Sequence, residues 1–294
     1  MSGTTLTSAS NLTPETVPLR SGPPAREELL IHYPPKFTFH QLKTFINAGD
    51  LGLLKRDRKL QKRYDAWSAE IRKEYGSMVN YLLTYRLQWG KRDARSLLKS
   101  TLDVPDSLVA KDEVANAPTG ELPPLPSNAP PYFKADTSPE LISIIMNDWP
   151  YSVPNEVEHS LIWTRVPILP PDLPPSVEPR LLQDGLWGFT GSLAPPPSPD
   201  TLPECLGALS EWNLTMDKLV RSPEPSPEER MLLEKAGSEV DTFVKWLWRE
   251  DEWETAWFVN PPRLQSVPGL AHIHVFARRK THEEITEWKA AKGN

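Results

Sequence analysis

Two histidines, His272 and His274, stand two residues apart in a stretch whose other members Ile273, Val275 and Phe276 are apolar. A half-buried strand reads this way, and its period of two puts both imidazoles on one face. An imidazole has a reference pKa near 6.5, so such a pair serves near neutral pH as nucleophile, proton carrier or metal ligand. Upstream, the turn formers Pro261, Pro262, Pro268 and Gly269 enclose Gln265 and Ser266, with Asn260 at the entrance. All three of those polar side chains can hydrogen-bond a ligand beside the histidine face.

Two chemistries fit these residues. A metal site needs a third ligand, for which His159 or Asp148 is available. In covalent catalysis His272 attacks phosphorus while Gln265, Ser266 and backbone amides hold the phosphate oxygens, and Arg165 or Arg278 offsets the developing charge. Strand histidines that merely face water or partner groups fit the pattern equally well. We take His272 and His274 as the catalytic pair, assign no metal, and find no glycine loop of the nucleotide-binding kind that would identify a cofactor.

These residues need a framework. The 294-residue chain is 38% hydrophobic, enough for a sizeable core. Its 33 prolines amount to about 11% against a usual ~5%, and they are clustered, so long irregular segments are expected around one α+β unit. A formal charge of -6 argues against a nucleic-acid surface, which needs concentrated Lys and Arg. The single Cys205 leaves no intramolecular disulfide. No apolar run of membrane-spanning length and no signal-peptide pattern is present, so a cytoplasmic protein without membrane contact is expected.

In chain order, residues 1–34 are polar and proline-containing and read as a disordered arm; a single domain is expected over 35–294, with proline-rich inserts at about 104–137 and 167–204. Phe39, Leu42, Phe45 and Ile46 mark a first short helix. From Leu60 to Trp89, apolar residues spaced by threes and fours predict one amphipathic helix of about 30 residues, roughly 45 Å long, with Asp57 as its cap and Gly76 tolerated inside it. Ser138-Pro139-Glu140 opens an expected short helix through Met146. Residues 158–166 read as an interior strand, and residues 181–189 as a turn of helix with a Trp187 anchor. Ser226-Pro227-Glu228-Glu229 is a capping box for a helix reaching Arg249. Residues 253–259 and 270–276 read as an antiparallel pair, followed by a helix capped at Thr281. The expected fold is therefore α+β, a small and mainly antiparallel sheet packed by a long amphipathic helix and shorter ones.

Three blocks resemble the fungal N-acetylglucosamine-induced protein family, a domain of unknown function. They run from Phe39-His40-Gln41-Leu42 to Arg86-Leu87-Gln88-Trp89, then Asn147-Asp148-Trp149-Pro150-Tyr151 with His159 to Trp163, then Trp257-Phe258-Val259-Asn260-Pro261 through His272-Ile273-His274-Val275. The resemblance implies a cytosolic protein of amino-sugar response or metabolism. A partial resemblance to histidine-triad nucleotide hydrolases and transferases rests on Gln265-Ser266-Val267 followed by His272-Ile273-His274, with Leu270 where that family has its first histidine. It implies, for an enzyme, nucleotidyl transfer or phosphohydrolysis at His272. The expected ligand is a nucleotide sugar or sugar phosphate held by Gln265, Ser266, Asn260, Arg165, Arg278, Trp149 and His159. The alternative is a non-enzymatic regulator or scaffold that meets protein partners through its proline-rich segments.

Overall fold

A computed structural model describes residues 12–111, 114 and 120–293. Its centre is a five-stranded antiparallel sheet of β1 (Ile142–Met146), β2 (Val157–Thr164), β3 (Leu186–Thr190), β4 (Trp253–Val259) and β5 (Ala271–Arg279), in the order β1-β2-β5-β4-β3. Strand β5 is the middle one. It pairs with β2 through Leu161 opposite His274 and Trp163 opposite His272, and with β4 through Phe258 opposite His274.

Strand alternation sorts side chains into two buried faces. On one, Ile162, Ile273, Val275, Ala277 and Trp257 pack against Val240, Phe243, Val244 and Leu247 of a helix at Pro227–Leu247. That helix starts with the expected capping box, Ser226 accepting from the Glu229 amide and Glu229 from the Ser226 amide. The opposite face has two covers. Val157, Ala256, Phe258 and Phe276 meet Leu42, Phe45 and Ile46 of the helix at Phe39–Asn47, whereas Ile145, Leu161 and Trp163 meet Tyr81, Leu82 and Leu83. The histidines lie on this second face, between its two apolar covers.

Several expectations change. The long helix is two pieces: it runs over Arg58–Tyr75, stops at Gly76 with φ +78, and restarts at Ser77 as a short turn over Met78–Tyr81 leading into a π segment, Leu82–Arg86. A left-handed glycine is a common helix stop, and the apolar stripe continues across it because both pieces cover the same sheet. Residues 142–146 form a strand where a helix was expected; only Pro139–Leu141 makes a helical turn. A short apolar run has no helical period to distinguish it, and pairing with β2 decides its state. Residues 1–11 of the expected arm lie outside the described residues, but Arg26–His32 is helical. Glu28, 1% exposed, is held there by Arg63 at 2.9 Å and by the amides of Arg20 and Ala25. Buried polar contacts of this kind leave no hydrophobic period in sequence. Residues 181–189, expected as a turn of helix with Trp187 as an anchor, divide between a helix at Glu178–Asp184 and the edge strand β3, which carries Trp187.

The turn at residues 147–151 is fixed to the framework by arginines. Arg86, 2% exposed, donates from Nε and Nη2 to Asp148 at 2.6 and 2.9 Å and from Nη1 to Asp93 at 2.8 Å. Arg56 donates from Nε to the Trp149 carbonyl at 2.8 Å and lies against the rings of Tyr64 and Tyr151. Breaking a buried charge cluster from one side leaves its remaining charges uncompensated. Arg86→Ala is expected to lower the unfolding free energy by about 3–5 kcal/mol, read from urea midpoints; a loss below about 1 kcal/mol would show that the cluster does not hold this turn.

Candidate functional site

Strand register brings three histidines together. His159 from β2 and His272 and His274 from β5 are 2%, 7% and 5% exposed. The ring of His274 stacks on Phe258 with centroids 4.4 Å apart, His272 stacks on Trp163 at 4.2 Å, and Tyr151 lies over His159 at 5.1 Å. The expected same-face pair is present, and the third histidine is His159.

Hydrogen bonds divide the trio into a chain of two and a separate member. The Tyr151 backbone amide donates to Nδ1 of His159 at 3.3 Å, so that nitrogen is an acceptor and the ring hydrogen sits on Nε2. Nε2 lies 3.0 Å from Nδ1 of His274 and donates to it. Nε2 of His274 then bears a hydrogen and lies 3.2 Å from Nδ2 of Asn260, so the hydrogen-bond chain assigns the Asn260 amide the flipped orientation, with its oxygen toward the imidazole as acceptor. His272 is separate. Its Nδ1 donates to the Leu270 carbonyl at 3.0 Å, which leaves the lone pair on Nε2.

His272, Asn260 and Gln265 line a cleft of about 230 Å³ whose other walls include Ile168, Leu181, Leu186 and Pro261. Gln265 also donates to the Asn260 carbonyl at 3.2 Å. Among the described residues no Lys, Arg, Asp or Glu lines this cleft. The cleft therefore offers an imidazole acceptor and two carboxamides against an apolar wall.

The remaining expected site residues are elsewhere. Ser266 is exposed and outside the cleft lining. Arg165 spends its guanidinium on the carbonyls of Glu140, Pro123 and Pro124. Arg278 lies on the histidine face at the far end of β5, where Glu254 and Glu284 bind it at 2.6 and 2.7 Å. Trp149 is buried against Tyr64 and Trp67. Asp148, available as a metal ligand on sequence grounds, is occupied by Arg86. Among the described residues no group of three or more His, Cys, Asp or Glu side chains is placed to hold a metal ion. Sequence reading missed Tyr151, Trp163 and the Leu270 carbonyl as parts of the site, since an amide, a stacking ring and a backbone oxygen leave no motif.

Burial holds all three imidazoles below their ordinary pKa, His159 and His274 well below it; the Arg56 charge adds to this at His159, and the neighbouring histidines add to it at His274. Groups with depressed folded pKa values bind fewer protons folded than unfolded once pH falls below about 6.5, so stability present at neutral pH is lost on acidification. Each imidazole contributes up to about 1.4 kcal/mol per pH unit in that window. His274→Phe is expected to flatten the fall in urea midpoint between about pH 7.5 and 5.5 relative to the native chain. Equal slopes in the two proteins would mean that His274 is charged or solvated in the fold.

A family model described as "Protein of unknown function (DUF3605)" matches residues 38–174 and 220–278, which include every residue of the histidine network. Among solved structures, one titled "Crystal Structure of HTC1" aligns at 22% identity over 87% of this chain and 94% of its own, with a TM-score of 0.34. No curated protein matches the chain. Because the family match takes in more than half of the residues, this chain belongs to the DUF3605 family of proteins of unknown function.

Proposed function

We propose that the protein binds a neutral, monosaccharide-sized ligand in the cleft at His272, as a cytosolic component of amino-sugar response or metabolism. One observation carries the reading: His272 lines an uncharged cleft and uses Nδ1 on the Leu270 carbonyl, which leaves Nε2 as its acceptor. A hydroxyl or N–H of a sugar ring supplies the matching donor, and Asn260 and Gln265 are the nearest carboxamides. The apolar wall fits a ring's carbon face.

Size and charge narrow the ligand. About 230 Å³ is below the roughly 300–1,000 Å³ of drug-sized sites, which favours one sugar ring over a nucleotide sugar. A phosphate needs cations or converging amides, and the two arginines expected to serve it, Arg165 and Arg278, are held by carbonyls and carboxylates. Phosphoryl transfer at His272 consequently loses its electrostatic partner, and ligand binding is the function we favour over histidine-triad-like catalysis.

Calorimetric titration with N-acetylglucosamine, its 6-phosphate and its uridine diphosphate conjugate tests this. The unphosphorylated sugar is expected to bind, and His272→Ala to weaken it roughly tenfold, the ~1.4 kcal/mol of one buried hydrogen bond. Gln265→Ala should cost less, because that side chain is half-exposed. Absence of binding by the unphosphorylated sugar, or an unchanged affinity in His272→Ala, contradicts the proposal.

A further inference from the structure

The two proline-rich inserts differ in how they are held. Pro123 and Pro124 give their carbonyls to Arg165 and are fixed to the body of the protein. Residues 192–200, Ser-Leu-Ala-Pro-Pro-Pro-Ser-Pro-Asp, are exposed throughout except for the half-buried Pro197. This second insert lies outside the segments matched by the family model.

Its conformation follows from covalent geometry. Proline fixes φ near -65°, and any residue preceding a proline is pushed out of the helical region into extended or polyproline II backbone. Ala194, Pro195, Pro196 and Ser198 all precede prolines. Ser198 has φ -62 and ψ 137, inside the polyproline II basin. The extended stretch covers residues 195–198, where three residues per turn put Pro195 and Ser198 on one edge, and it ends at a helical turn over Pro199–Thr201. Pro197 touches the body: its carbonyl accepts from Nδ2 of Asn47 at 2.9 Å, and it is half-buried. Leu193, 50% exposed, and Pro195 and Pro196 lie on the surface. The Gly191 amide is anchored to Glu250 at 2.9 Å, and the buried Leu202 and Cys205 secure the far end.

We propose that residues 193–199 are a docking ridge for a protein domain that reads polyproline II in an aromatic-walled groove with a basic rim. The ridge is ordered before it binds, which lowers the entropy cost of recognition. The charge of the rim follows from the neighbours. There is no Lys or Arg from Leu181 to Asp217, while Asp200 and Glu204 are exposed beside the ridge.

The test uses the full chain titrated with purified SH3, WW and EVH1 domains, followed by amide shifts of the labelled domain. At least one domain is expected to bind through its aromatic groove. The exposed double substitution Pro195→Ala/Pro196→Ala should weaken it roughly tenfold, and Glu204→Lys should weaken it further in low salt. Pro123→Ala/Pro124→Ala should leave it unchanged. No binding by any of the three domains, or binding indifferent to Pro195→Ala/Pro196→Ala, overturns the proposal. The ridge variant should still bind the sugar as the native chain does, so the two proposals fail independently.

Discussion

The amide of Tyr151 pointing at Nδ1 of His159 sets the direction of the hydrogen bonds beyond it. An acceptor at that nitrogen makes Nε2 a donor, Nε2 makes Nδ1 of His274 an acceptor, and His274 in turn orients Asn260 at the edge of the cleft. A buried chain of this kind is stable only if every member is satisfied, because an unpaired polar group costs about 1–3 kcal/mol. The Tyr151 turn is therefore tied down heavily, by Arg56 on the Trp149 carbonyl and Arg86 on Asp148. These two arginines work at a distance from the cleft, yet the direction of the imidazole chain depends on where they hold one amide.

Placing three imidazoles between two apolar covers has a second consequence. With Phe258, Trp163 and Tyr151 against their faces, the rings are desolvated and kept neutral. A neutral imidazole is a hydrogen-bond donor on one nitrogen and an acceptor on the other, and the backbone decides which. At His272, which lines an uncharged cleft, the Leu270 carbonyl makes that decision and leaves Nε2 as the acceptor. In the histidine-triad comparison, residue 270 was notable for the imidazole it lacks; its contribution here is a backbone oxygen.

What was legible in the sequence is what strong local patterns encode. The alternation around His272 and His274 placed both rings on one face, the antiparallel pairing of 253–259 with the histidine strand is present, and the capping box at Ser226 starts its helix. Patterns shared by two structures failed. Ile142 to Met146 is too short and too uniformly apolar to show a period, and becomes a strand only because β2 offers an edge. Gly76 reads in sequence as a glycine tolerated inside a helix, whereas its positive φ ends the helix. Arg165 and Arg278 looked available because a sequence shows a cation without its partners, and both are already bound. His159 could be nominated but not located until the β2 and β5 register brought it to His274.

Long-range 15N imidazole NMR on the full chain, recorded without and with N-acetylglucosamine, addresses the central claim most directly. The account predicts His272 with its hydrogen on Nδ1, His159 and His274 with theirs on Nε2, and a ligand-induced shift at Nε2 of His272 while His159 stays unchanged. A charged or Nε2-protonated His272, or a spectrum that the sugar leaves untouched, would contradict it.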